Sequence, residues 1–285
     1  MMDEISGLKD YPLARRSVIM TSLISGLTLA TTRVEAQAIT TSSDGLVAGP
    51  VMIPTSDGNI PAYRAKPAGA GPFPIVLVNE EIFGVHAYIQ DICRRLAREG
   101  YLAVAPEVYA RIADLSTMTD AAVIVRDVIS KAPDDRMLKD LDETVAWAGT
   151  DGGDLSRLAV TGFCRGGRNT WLYDAHNPML KAAVAWYGPV GGQPSAIQPA
   201  TATDLADKLH APLLGLYGGM DPSIPVDDVQ AAAAKARAAG KTVEIEVFPD
   251  APHGFHADYR PSYRPDAAVA GWTRMLAWFR GHGVG

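Results

Sequence analysis

At 285 residues, with 47% hydrophobic side chains, the chain can bury a sizeable core, and one α/β domain of this size is ordinary. A net charge of −6 with no basic run argues against nucleic-acid binding. No internal repeat or low-complexity linker divides the sequence.

The first 38 residues read as an export signal. Arg15-Arg16 precede the apolar run Ser17 to Thr32, and Ala36-Gln37-Ala38 offers an A-x-A cleavage site. Paired arginines point to twin-arginine export, which predicts a periplasmic or secreted protein; a cytoplasmic enzyme with an N-terminal extension is the alternative. The apolar run is too short and too rich in Thr and Ser to span a membrane, so no stable insertion is expected after processing. Residues 39–285 are predicted to form a single α/β domain.

Within it, Pro74 to Asn79 reads as a central strand ending in Glu80-Glu81-Ile82-Phe83-Gly84. Asp91 to Arg98 has helical period, with Ile92 and Leu96 facing inward. Ile112 to Lys131 lies where a cap over a site often sits. Asp134 to Trp147 repeats the helical pattern, with Leu138, Leu141 and Val145 on one face. Leu158 to Thr161 reads as a buried strand, Gly162-Phe163-Cys164-Arg165-Gly166-Gly167 as a tight turn, and Arg168 to His176 as a helix. Pro212 to Tyr217 is another buried strand, followed by a loop carrying Asp221. Ala231 to Ala239 is an alanine-rich helix. Val243 to Phe248 alternates as a strand and leads to the loop bearing His253. Ala267 to Phe279 forms a closing helix. Strands separated by helices predict a mainly parallel sheet with helices on both faces.

Strand, Gly-x-nucleophile-x-Gly turn and helix make the nucleophile elbow of an α/β-hydrolase, here with cysteine as nucleophile. Taken alone, the motif equally describes a buried free cysteine beside a glycine-rich turn. The chain order nucleophile, acid, histidine adds weight, because all three residues fall after strands at one edge of the sheet. In this reading His253 shuttles protons and Asp221 orients its ring. The backbone N–H groups of Arg165, at a helix N-terminus, and Ile82, after the central strand, would hold an oxyanion. Glu81 would then stand near the reacting centre, where it could accept the thiol proton or have its charge offset by an arginine; otherwise Glu80 and Glu81 are a pair of solvated loop acids. His86, His176, His210 and His282 read as surface or capping residues. His253 and His256 with Asp250 and Asp258 lack a helix to fix metal-ligand spacing, so no metal is assigned and no cofactor is implied. Cys93 and Cys164 are expected to stay free, and the lack of a resolving cysteine near Cys164 argues against a redox role.

These motifs together resemble the dienelactone hydrolase family, of carboxymethylenebutenolidase type, over roughly residues 53–279. Glu81-Ile82-Phe83-Gly84, the segment Gly100 to Arg111, Gly162-x-Cys164-x-Gly166-Gly167, Gly219-x-Asp221 and Ala251-x-His253 carry the resemblance. It implies hydrolysis of a lactone or related ester through a cysteinyl acyl-enzyme, with the glutamate matching Glu81 helping to activate the thiol when substrate binds. Two departures stand out. Dienelactone-active members carry an arginine shortly after the catalytic histidine that pairs with the substrate carboxylate; here the nearest is Arg260. A second arginine, in the segment after Tyr109-Ala110-Arg111, is matched only by Arg126. Phe83, Arg111, Tyr187 and Arg260 are the substrate-contact candidates, and Arg165 and Arg168 either add positive field or sit on the helix surface. The expected partner is a small ester or lactone, and the expected state a monomer. A broader carboxylesterase or thioesterase without dienelactone activity, or a catalytically silent binding protein of the same fold, are the competing readings.

Overall fold

A computed structural model describes residues 39–285; the segment read as an export signal lies outside the described residues. Eight strands form one sheet in the order β1-β2-β4-β3-β5-β6-β7-β8. In chain order they are β1 (Leu46–Thr55), β2 (Gly58–Pro67), β3 (Phe73–Asn79), β4 (Leu102–Pro106), β5 (Gly153–Phe163), β6 (Ala182–Trp186), β7 (Leu213–Gly218) and β8 (Val243–Phe248). Among the described residues the seven helices are α1 (Ala87–Arg98), α2 (Ala121–Asp127), α3 (Asp134–Thr150), α4 (Arg165–His176), α5 (Ala202–Leu205), α6 (Val226–Ala238) and α7 (Pro265–Gly281).

The first two strands form an antiparallel hairpin, and β2 pairs antiparallel with β4; every other pairing is parallel. Parallel strands covered on both faces need continuous apolar sequence. That is what Ile75 to Val78, Leu102 to Ala105 and Ala182 to Trp186 supply, all fully buried. The helices fall into two layers. Helices α3 to α6 pack in succession, while α1 and α7 meet where Tyr101 edges onto Phe279, 6.1 Å between ring centres, and Arg280 pairs with Glu99 at 2.7 Å. This is the α/β-hydrolase architecture.

Register decides where the site falls. Asn79 lies opposite Gly162, Phe163 opposite Trp186, Trp186 opposite Leu216, and Gly218 opposite Phe248. The carboxyl ends of β3, β5, β6, β7 and β8 therefore finish side by side, and their following loops share one edge of the sheet.

The predicted elements correspond to β3, β5, β7, β8, α1, α3, α4, α6 and α7, and most run longer than periodicity suggested. Helix α1 starts at Ala87 rather than Asp91, and α6 at Val226 rather than Ala231. The hairpin, β4, β6 and α5 were not anticipated as elements. In the segment 112–131, two short 3-10 turns flank α2, and Leu115 packs onto the turn that follows β3, its Cβ 3.1 Å from where a side chain on Gly84 would begin.

Candidate active site

Strand β5 ends at Phe163 and α4 begins at Arg165, so Cys164 alone makes the turn. Its backbone sits at φ 56°, ψ −118°, a region L-residues avoid. Two glycines make the turn possible. A Cβ on Gly162 would lie 2.2 Å from the carbonyl oxygen of Gly166, and one on Gly166 would lie 2.2 Å from that of Asn79. The Cys164 N–H donates to the Trp186 carbonyl at 3.0 Å, and the Cys164 carbonyl accepts from the Gly167 N–H at 2.9 Å. The strained conformation is thus tied on both sides. Cys164 is 3% exposed, and Cys93 is also a free, buried cysteine.

Beyond β7, Asp221 Oδ1 accepts from the Ser223 N–H at 2.9 Å and from its hydroxyl at 2.6 Å. Its other oxygen meets His253 Nδ1 at 2.6 Å. His253 Nε2 is buried without a hydrogen-bond partner among the described residues. Burial alone would strip the ring of its proton. The Cys164 sulfur and the Asp221 carboxylate more than reverse that and push His253 up to about 10. Burial likewise opposes charge on Asp221, yet His253 and Ser223 hold its carboxyl below the ordinary value. Tyr187, just past β6, sets its ring edge-on to His253 with centres 5.2 Å apart.

Glu81 and its neighbour Glu80 are 0% and 1% exposed, so the picture of two solvated loop acids is overturned. Arg260 Nη2 reaches Glu81 Oε1 at 3.1 Å, while Tyr259 OH, at 2.7 Å, and His86 Nε2, at 3.1 Å, both meet Oε2. Burial works against the charge, but Arg260 and then His86 outweigh it and bring Glu81 down to about 2. Burial opposes the Arg260 charge, but Glu81, then Tyr259 and Cys164, outweigh it and hold the guanidinium firmly protonated. Neither the Ile82 N–H nor the Arg165 N–H finds an acceptor among the described residues. Arg165 opens α4, where the helix dipole favours negative charge.

The dienelactone hydrolase family model matches residues 60–283. The chain belongs to the dienelactone hydrolase family. It is 56% identical over 274 residues to a Methylorubrum extorquens protein provisionally named carboxymethylenebutenolidase, covering 95% of this chain and 94% of that one. An Escherichia coli K12 relative with the same provisional name is 50% identical over 260 residues, covering 91% and 96%. A Klebsiella pneumoniae crystal structure, described as a dienelactone hydrolase with the same reservation, superposes with a TM-score of 0.81 at 53% identity, covering 82% of this chain and 98% of that one. Membership of this family makes the chain a hydrolase.

The structure gathers Cys164, Asp221, His253, Glu81, Ile82, Arg165, Tyr187 and Arg260 at one sheet edge, with Phe83 beside them, its ring centre 5.4 Å from the Arg260 guanidinium. Arg111 does not join them. It binds Asp140 at 2.6 Å, Thr55 at 2.6 Å and Asp57 at 3.1 Å, tying the tip of the β1–β2 hairpin to α3, which corrects the substrate-contact expectation. Arg168 is neither a surface residue nor a source of free field, because Asp134 pairs with it at 2.8 Å through both oxygens. His86 occupies the N-cap position of α1 without a side-chain capping bond, and its ring serves Glu81 instead. His256 is buried, bonded to Tyr88 OH at 2.7 Å and stacked on Trp272; burial drives it down to about 3, so it stays neutral. His86 and Tyr259 are the site residues that sequence reasoning missed. The available signal was their closeness in sequence to Glu81 and Arg260.

Proposed function

We propose that this hydrolase cleaves a lactone or carboxylic ester through a cysteinyl acyl-enzyme, with Cys164, His253 and Asp221 as its triad. The observation that carries the reading is the 2.6 Å Asp221–His253 bond set beside a cysteine in the strained elbow conformation. With Asp221 holding its Nδ1 side at 2.6 Å, the protonated His253 ring enters the reaction as an acid. Glu81 is a poor base while Arg260 pairs with it. An anionic group on the substrate that draws on Arg260 frees Glu81 to take the Cys164 proton. The thiolate then bonds to the acyl carbon, and the Ile82 and Arg165 N–H groups bind the resulting oxyanion. Collapse breaks the bond to the leaving oxygen, which takes the His253 proton. The neutral imidazole then removes a proton from water, whose hydroxide displaces the thiolate and releases the acid.

Arg260 also bears on the substrate class. It lies seven positions after His253, yet it stands at Glu81, where a pairing arginine is needed. That favours an ester or lactone bearing a carboxylate over a purely neutral one. The test is pH-stat hydrolysis of dienelactone beside neutral esters and lactones, with Cys164→Ala as the blank. Fast dienelactone cleavage that vanishes in Cys164→Ala is the expected result. Cleavage of neutral esters alone would keep the triad and shift the substrate class to that of a general carboxylesterase. Turnover surviving in Cys164→Ala would remove the nucleophile assignment.

A further inference from the structure

Glu80 is a buried ionisable group that the proposed chemistry leaves unused. Glu80 is 1% exposed, and neither of its carboxyl oxygens has a hydrogen-bond partner among the described residues. The charge acting on it is negative. Glu107 repels it, and Glu107 is itself raised by burial and by Asp114. The arginines of the adjoining loops answer other acids, Arg260 to Glu81 and Arg111 to Asp140. The N–H groups of Val108 and Tyr109 face the carboxyl and favour its charge, but neither closes a hydrogen bond of normal geometry. Burial prevails, and the carboxyl is held well above its ordinary range. A carboxylate without a cation is strongly disfavoured in such a place, so Glu80 carries its proton.

The location gives that proton consequences. Glu80 Oε2 lies inside the 80–84 turn, 3.7 Å from where a side chain on Gly84 would begin. The Glu80 carbonyl backs onto the nucleophile elbow, 2.6 Å from where a Cβ on Gly166 would stand. Between these two anchors run Glu81 and Ile82. We propose that Glu80 is a positioning residue that works as a neutral carboxylic acid: it fills the interior of the turn, fixes where Glu81 and Ile82 stand, and forces the turn open when it ionises. The positioning half of this rests on the roles proposed above for Glu81 and Ile82.

Glu80→Gln keeps the shape and cannot ionise. Two profiles, kcat/KM and thermal midpoint, are measured against pH for this variant and the parent, from about pH 6 to 10. In the parent, the folded chain keeps a proton that the unfolded chain has released above the ordinary value of 4.5. The parent therefore loses stability as pH rises through that window, and the variant does not. The expected results are a midpoint advantage for Glu80→Gln that widens with pH, a rate within about threefold of the parent at the acid end, and an alkaline limb moved up by about one pH unit or more. A constant midpoint difference would show that Glu80 is already ionised and would overturn the proposal. A widening midpoint gap with an unmoved rate profile would overturn the positioning role, and a rate lost at every pH would mean that the carboxylate is needed. Turnover persisting in Cys164→Ala would instead sink the reading of the site, while the midpoint comparison would still judge the proton on Glu80.

Discussion

Glu81→Gln removes one charge from a pair in which both side chains are almost wholly buried, 0% and 1% exposed. Two independent routes give the size of the effect. Glu81 titrates at about 2 in the folded chain against 4.5 unperturbed. At about 1.4 kcal/mol per unit, that difference corresponds to roughly 3 kcal/mol of stabilisation by the charged form. Removing one partner of a buried ion pair typically costs about 3–5 kcal/mol, because the remaining charge loses its counter-ion inside the protein. For a chain of this size either value lowers the thermal midpoint by roughly 6–20 °C. The pH dependence follows from the sign of the shift. A depressed carboxyl stabilises the fold fully above about 4.5 and loses that contribution as pH falls toward about 2. Urea unfolding of parent and variant should therefore differ by about 3 kcal/mol at neutral pH and converge near pH 2. Glu81→Gln combined with Arg260→Met should regain much of the loss, since replacing both charges removes the uncompensated one. A Glu81→Gln variant as stable as the parent at neutral pH, or a gap that persists undiminished in acid, would refute the ion-pair reasoning.

Four further variants test the same geometry. His253→Ala should lower kcat by at least about 10³-fold with little change in fold. His256→Ala should instead cost about 2–4 kcal/mol through lost packing on Trp186 and Trp272 while sparing the rate constant, and the reverse ranking in paired stability and kinetic assays would exchange their roles. Gly166→Ala places a Cβ against two backbone carbonyls that cannot rotate away; about 2 kcal/mol or more of stability and most of the activity should be lost, and a neutral result would mean that the elbow is looser than its contacts imply. Arg111→Met should lower the unfolding midpoint but hold kcat/KM within about threefold, whereas a loss confined to anionic esters would return Arg111 to the substrate site.

The elbow was legible because its constraints are local. Gly162 and Gly166 announce a close approach that no other residue permits, and an apolar run before them with a helix after them fixes the direction of the turn. Asp221 and His253 were legible for a topological reason: each follows a strand of a parallel sheet, and such loops share an edge. Strands β4 and β6 were missed because five-residue apolar runs carry too little periodicity to separate strand from helix. The hairpin was missed because β1 contains Pro50 and Pro54, which periodicity rules penalise although an edge strand tolerates them.

What stayed hidden is the part of the site made by partners distant in sequence. Arg260 and Glu81 are separated by 179 positions, and no pattern in either segment announces that they meet. Counting residues after His253 suggested a missing arginine. In three dimensions the chain after His253 turns through Ala257 and Asp258, where Arg95 pairs with Asp258, and so delivers Tyr259 and Arg260 to the same carboxylate. A spacing rule tests position along the chain, whereas charge pairing constrains only position in space. The buried Glu81 carboxylate needed a cation within reach, and burial was the one quantity the sequence could not supply for a Glu-Glu pair. Both acids are buried, but with Arg260 at hand Glu81 keeps its charge, whereas Glu80, beside Glu107 and with no cation paired to it among the described residues, gives its charge up. Two adjacent, identical residues in one turn thus take opposite protonation states, set by what the distant chain brings to each of them.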